Sequence, residues 1–237
     1  MTNIRTAGLA AFVAAALPAA AHAEFVGGRA AVAHSTFVDD TSMAKSTAEG
    51  AVEFSFGSFG LQTDLGVSGL NALSETATNI TTHAIWNFSP DAAAGLYYGA
   101  DYMGGAGEDF LGVEYARRIG DAKIEAYIAG TNSDAGDATL VGIAGSTPVG
   151  FSGLDMGLSV DHASVQGGNS ATKVGLTGGY ALGESTRLVG EIGSVGGAVG
   201  ASETSGPYVK LGVDFRFGAN HGTTFGTRSV FSALPGL

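Results

Sequence analysis

The chain has 237 residues, with 11 Lys and Arg against 22 Asp and Glu, no Cys, 39 Gly and 5 Pro. Such an acid excess argues against nucleic acid as a partner, because phosphate binding needs clustered Lys and Arg. Without Cys there is neither a disulfide framework nor a thiolate metal site, and abundant glycine with little proline fits neither a collagen-like chain nor a proline-rich linker.

The first segment in chain order is MTNIRTAGLAAFVAAALPAAAHA. Arg5, an apolar run from about Ala7 to Ala20, and the small-x-small ending Ala21-His22-Ala23 make the pattern of a secretory signal peptide cleaved before Glu24. An N-terminal membrane anchor is the alternative, for which the run is short. Residues 1–23 are therefore set apart from the fold. Their removal takes one base, Arg5, and no acid, so the mature chain is one charge more negative.

No later stretch approaches the ~18 consecutive apolar residues of a membrane helix. The apolar residues are interleaved instead. Twelve segments of alternating character follow, at about 25–37, 48–57, 61–70, 79–88, 95–103, 109–118, 123–131, 138–146, 154–165, 171–181, 186–195 and 207–217. In the third, Leu61, Leu65 and Val67 oppose Gln62, Asp64 and Ser68. In the sixth, Leu111, Val113 and Tyr115 oppose Gly112, Glu114 and Ala116. In the seventh, Ile124 and Ile128 oppose Lys123, Glu125 and Tyr127. A period of two marks strands that are wet on one face and apolar on the other. The first segment, with VGGRAAVAH, is small on both faces and its parity is open.

The connections alternate as well. Longer polar or glycine-rich stretches such as DDTSMAKSTA, GGAGED and GGAVGASETSG follow odd segments, and mostly tighter ones such as SFG and GES follow even segments. This is the sense of an outer-membrane barrel, with short periplasmic turns and longer external loops. Phe54, Phe56, Trp86, Phe88, Tyr180, Phe215 and Phe217 all fall on the apolar parity where even segments end, as an aromatic girdle at one rim requires. The expected fold is all-β: a transmembrane antiparallel up-and-down β-barrel of about 12 strands over residues 24–217. In hydrocarbon an unpaired backbone polar group is so costly that only helices and closed barrels span a membrane.

The last segment adds a resemblance. Lys210-Leu211-Gly212-Val213-Asp214-Phe215-Arg216-Phe217 fits polar-x-Gly-x-x-aromatic-x-aromatic, with Lys210, Gly212, Phe215 and Phe217 at the four specified positions. It resembles the terminal-strand assembly signal of Gram-negative outer-membrane β-barrels. YALGESTRLVGEIG, Tyr180 to Gly193, resembles the penultimate hairpin of general diffusion porins. The resemblance is clear over about 171–217 and architectural before that. It implies a porin-like barrel in the cell outer membrane, bounded by the lipid bilayer, assembled by the barrel-assembly machinery and passing small hydrophilic solutes or ions. Porin-like barrels often trimerise, but no homo-oligomer interface is legible here. The chain departs from the general porins in being too short for sixteen strands and in lacking a long loop to fold in as a constriction.

Residues 218–237 are a further departure, because such barrels usually end on the terminal aromatic. Three readings of this extension stay open, since the sequence does not choose among them: a disordered periplasmic tail, which is preferred, a plug in the lower lumen, or a further strand.

By parity the inward face carries Glu53, Asp64, Asp101, Glu114, Glu125, Asp155, Asp161, Glu191 and Asp214, with Arg118, Lys123, Lys173, Lys210 and Arg216, and Arg29 if the first segment has matching parity. This gives nine acids against six bases, expected to line the pore and favour cations mildly. The bland reading is a salt-bridged, solvated interior. His83 shares that parity and is expected to be solvated there. A lipid-hydrolysing barrel is the enzymatic alternative. His162 and Ser164, two apart on the apolar parity, have the His-x-Ser spacing of lipid A deacylases, without the rest of that motif. His34 and Ser35, being adjacent, point to opposite faces. A non-conducting structural barrel is a third class. Asp39-Asp40 and Asp134/Asp137 do not follow a calcium-loop spacing, and no metal or cofactor is expected.

Overall fold

A computed structural model describes residues 23–131, 137–150, 153–199, 202–219 and 222–233. The signal-peptide reading therefore lies, but for Ala23, outside the described residues.

Twelve strands follow one another: β1 Glu24–Phe37, β2 Ala44–Phe56, β3 Phe59–Leu70, β4 Glu75–Ser89, β5 Ala92–Met103, β6 Ala106–Ile119, β7 Ala122–Thr131, β8 Ala138–Pro148, β9 Leu154–Val165, β10 Asn169–Ala181, β11 Thr186–Val199 and β12 Ser202–Phe217. Each pairs antiparallel with its sequence neighbours, and β1 pairs with β12 to close the barrel. Closure runs from Gly28↔Phe217 to Phe37↔Tyr208. It leaves no free sheet edge, so every strand can satisfy its backbone groups across the wall. Register shifts occur between Phe25 and Gly27 and between Asn87 and Ser89, both near the rim where even strands end.

The alternation is read out as two faces. Leu65, Ile80, Leu96, Leu111, Ile143, Leu158, Ile192 and Leu211 stand exposed on the outer wall. Gln62, Asp64, Thr81 and His83 are fully buried inside it. The parity of β1 is settled too: Arg29 bonds to Asp214 within the lumen, and Ser35 is buried while His34 reaches Ser46 on the outer face.

The loop asymmetry is smaller than the sequence suggests. GGAGED reduces to a two-residue turn at Gly104 and Gly105, both at positive φ (58° and 84°). Paired positive φ is the geometry whose twist matches a hairpin, and glycine adopts it without a Cβ penalty. In GGAVGASETSG, pairing continues up to Val199↔Ser202. At that rim the strands simply extend, because hairpin pairing satisfies backbone groups that a loop would leave to water.

The girdle forms at the expected rim, with Phe56 and Phe217 half-buried and further rings added. Phe54, Trp86, Phe88, Tyr180 and Phe215 are exposed on the outer wall, joined by Phe25 and Phe59 from odd-strand starts and by Tyr115. Neighbouring rings touch: Phe25 lies 5.7 Å from Phe54 and 6.1 Å from Phe217, Trp86 lies 5.5 Å from Phe88, and Phe215 lies 6.0 Å from Phe217.

Candidate functional site

The lumen is where these strands place their polar side chains, and it is not empty. The chain turns back at Gly218 (φ 87°) and runs into the barrel. Gly27 makes this turn possible: a Cβ there would overlap the Gly222 carbonyl oxygen. Residues 222–233 then climb the inside, ending in a short 3-10 turn at Val230–Ala233.

The tail is held by inward side chains rather than by a strand ladder. The Thr224 N–H donates to Glu53 (2.6 Å), and the Thr224 carbonyl accepts from Lys123 (2.8 Å). Gln62 brackets Phe225, accepting from its N–H at 3.1 Å and donating to its carbonyl at 2.9 Å. The Gly226 N–H donates to Glu125 (2.9 Å). The Arg228 carbonyl accepts from Thr81 (2.7 Å), the Val230 N–H donates to Asp101 (2.5 Å), and the Phe231 carbonyl accepts from Lys45 (2.5 Å). Lys45 and Glu53 are eight residues apart on β2, so the tail spans about 26 Å of strand at ~3.3 Å per residue. The disordered-tail and extra-strand readings are thereby replaced for residues 222–233. The unpaired backbone of the segment and the buried wall carboxylates satisfy each other.

Two side chains anchor the segment. Phe225 is buried, 6.1 Å from the His83 ring and nearly parallel to it. Gly95 leaves it room, since a Cβ there would come within 2.9 Å of the Phe225 ring. Arg228 donates from Nε to Glu114 (3.0 Å) and from Nη2 to Glu125, and its guanidinium sits 4.3 Å from the Tyr127 ring centroid. This is charge-assisted bonding combined with a cation–π contact.

His83 is not solvated. It is fully buried, with Nδ1 2.6 Å from Glu114 and Nε2 3.0 Å from Asp64. An imidazole facing carboxylates on both nitrogens satisfies both as the doubly protonated cation. Of the inward residues read from the sequence, Glu53, Asp64, Asp101, Glu114 and Glu125 thus face the tail or His83, and Lys123 serves both the tail and Glu125 (3.3 Å).

The opposite side of the lumen holds a cavity of about 640 Å³. It reaches from the girdle rim, at Pro148, Asp155, Arg187 and Arg216, up to Glu191 and Lys210. Its charged lining is six bases (Arg29, Arg118, Lys123, Arg187, Lys210, Arg216) and five acids (Asp121, Glu125, Asp155, Glu191, Asp214). Asp214 is shared by Arg29 and Arg216, each at 2.8 Å, and Arg187 pairs with Asp155. Asp161 is held by Lys173 (2.9 Å) and the Tyr127 hydroxyl (2.8 Å). The acid excess read from parity is therefore not what the cavity presents. Arg187 was missed although it shares the parity of Glu191. Lys45 was missed because β2 begins four residues before the alternation becomes evident. Tyr208, whose hydroxyl donates to Glu191 (2.5 Å), and Tyr97, whose ring centroid lies 6.0 Å from the Arg228 guanidinium, were missed because tyrosine on a polar parity carries little signal.

His162 turns to its cross-strand neighbour, with Nδ1 2.8 Å from Thr172 Oγ1, on the exposed outer wall. Asp40 accepts from the Ser42 hydroxyl and N–H (2.6 and 3.0 Å). Those Ser42 contacts hold its carboxyl below the ordinary value. Asp134 lies outside the described residues.

No protein-family profile matches the chain, and no curated protein matches it in sequence. Solved structures match its fold. The chain is similar to the NanC porin (TM-score 0.64, 8% identity, over 78% of this chain and 98% of that one) and to the KdgM porin (TM-score 0.58, 9% identity, 80% and 99%). It is also similar to an outer membrane channel from Pseudomonas putida F1 (TM-score 0.55, 11% identity, 81% and 95%). The fold is that of porin-like barrels.

Proposed function

We propose that this chain forms an outer-membrane channel for passive diffusion of small hydrophilic solutes. The observation that carries the reading is a charged cavity of about 640 Å³ inside a barrel whose outer wall is apolar. Such a wall belongs in hydrocarbon, flanked by an aromatic girdle at the interface. The exported chain would reach the outer membrane through residues 1–23 and fold through the terminal signal of Lys210, Gly212, Phe215 and Phe217, read by the barrel-assembly machinery.

Arg118, Lys123, Glu125, Asp155, Glu191, Lys210, Asp214 and Arg216 would line the passage, and Asp161 and Lys173 would continue it above. With six bases against five acids along the cavity, a passage beside the seated tail should be close to non-selective. The mild cation preference read from the sequence is assigned to the wall that the tail covers, through Glu53, Asp64, Asp101 and Glu114. Several of the lumen charges are paired, Asp214 with Arg29 and Arg216, Asp155 with Arg187, and Glu125 with Arg228 of the tail, which supports a passage lined by held charges.

Single-channel conductance of the refolded protein in a planar bilayer tests the reading. Discrete steps with a reversal potential near zero in a salt gradient are expected. Silence from folded protein, both full-length and lacking residues 219–237, would overturn it.

A further inference from the structure

We propose that residues 222–233 are a tethered pore blocker, seated in a guanidinium-binding groove of the barrel wall and able to leave it. The proposal rests on the channel reading. It extends that reading to regulation: withdrawing the segment converts a narrow, nearly non-selective passage into a wide cation-selective one.

Three observations carry the inference. First, the segment is bound in the manner of a peptide ligand. Its backbone groups are taken up by Glu53, Gln62, Thr81 and Asp101 side chains, so release breaks no strand pairing and leaves the twelve-stranded ladder intact. Second, its strongest hold is one residue. Arg228 is the only Lys or Arg after Arg216, and it joins Glu114 on β6 to Glu125 on β7. Third, the segment has a pivot and space. The turn at Gly218 and Gly222 uses positive φ at both, and the 640 Å³ cavity lies directly beside Phe225 and Gly226.

The groove is specific about what it holds. Two carboxylates converge on a planar fork of N–H donors, with the Tyr127 ring beneath it. Arginine fits such a site better than lysine, because its fork bonds both carboxylates and its plane stacks on the ring. Once the segment leaves, Glu53, Asp101, Glu114 and Glu125 lose their tail partners and face water. Counting Glu53, Asp64, Asp101, Glu114 and Glu125 against Lys45, Lys123 and the protonated His83, that wall keeps an excess of carboxylates, which favours cations.

The experiment compares single-channel records of the full-length protein, a form lacking residues 219–237, and Arg228→Glu. Folding of each is checked by heat-dependent mobility on a denaturing gel. Arg228→Glu sets a third carboxylate against Glu114 and Glu125 while leaving every barrel residue in place. The expected result is a conductance several-fold larger for both altered proteins than for the full-length one, with the reversal potential moved toward that of a cation-selective pore. A synthetic peptide of residues 219–237 should restore the small conductance of the shortened protein when added from one side only. The same peptide carrying Arg228→Glu should not.

Equal conductance and reversal potential in all three proteins would overturn the blocker and leave the channel standing. Silence from all three, correctly folded, would overturn both. Failure of both altered proteins to reach the folded form would make the segment a structural staple and overturn the blocker as well.

Discussion

At the scale of single residues, the lumen behaves as a set of mutual obligations rather than a row of solvated charges. His83 stands between Asp64 and Glu114, with no side-chain exposure on any of the three. Removing one partner of a buried charge group leaves the others uncompensated, which typically costs about 3–5 kcal/mol. His83→Leu should therefore lower the temperature at which the barrel loses its heat-dependent gel mobility, whereas Ser46→Ala at the exposed His34 contact should leave it unchanged. Equal behaviour of the two variants would mean that water already solvates Asp64 and Glu114. The His83 position also shows where parity stops. Alternation assigns a side to the ring but does not say which of its inward neighbours are acids at bonding distance. Glu114 is 31 residues away in sequence and reaches His83 across β5.

At the scale of elements, each strand was legible and its length less so. All twelve appear where alternation puts them, because a period of two is a local property that survives any change in loop geometry. The ends moved where glycine-rich runs went into pairing, as at β11 and β12. The terminal strand carries its own prediction. Phe217 lies against Phe25 and Phe215, and its ring fills the space over Gly28 that a Cβ would need. Phe217→Ala removes the last aromatic of the proposed assembly signal together with this closure contact. Outer-membrane levels should fall well below those of the unaltered protein, measured by quantitative blotting of membrane fractions. Unchanged levels would mean that assembly reads another part of the chain. The segment after Phe217 was the element least legible from sequence. TTFGTRSVF has the apolar spacing of a short strand, and only the positions of Glu53, Gln62 and Asp101 show that it is bound instead by side chains.

At the scale of the whole molecule, a closed wall with an apolar outside and a charged inside should resist unfolding by detergent. The unheated protein should migrate anomalously on a denaturing gel and give β-rich circular dichroism. Normal migration with a water-soluble fold would refute the membrane barrel. By itself the sequence determined about twelve alternating segments, the two faces of all but the first, the rim that carries the girdle and the closing strand, because each depends on residues one to a few positions apart. Only the tertiary structure decided what fills the lumen. Closure brings β2, β3, β4, β5, β6 and β7 around one space, and Arg228 meets Glu114 and Glu125 there across more than a hundred residues. The net charge of an inward face can be counted from parity. Which charges remain open to solute depends on pairing in three dimensions, where charges taken out of water must find partners at bonding distance.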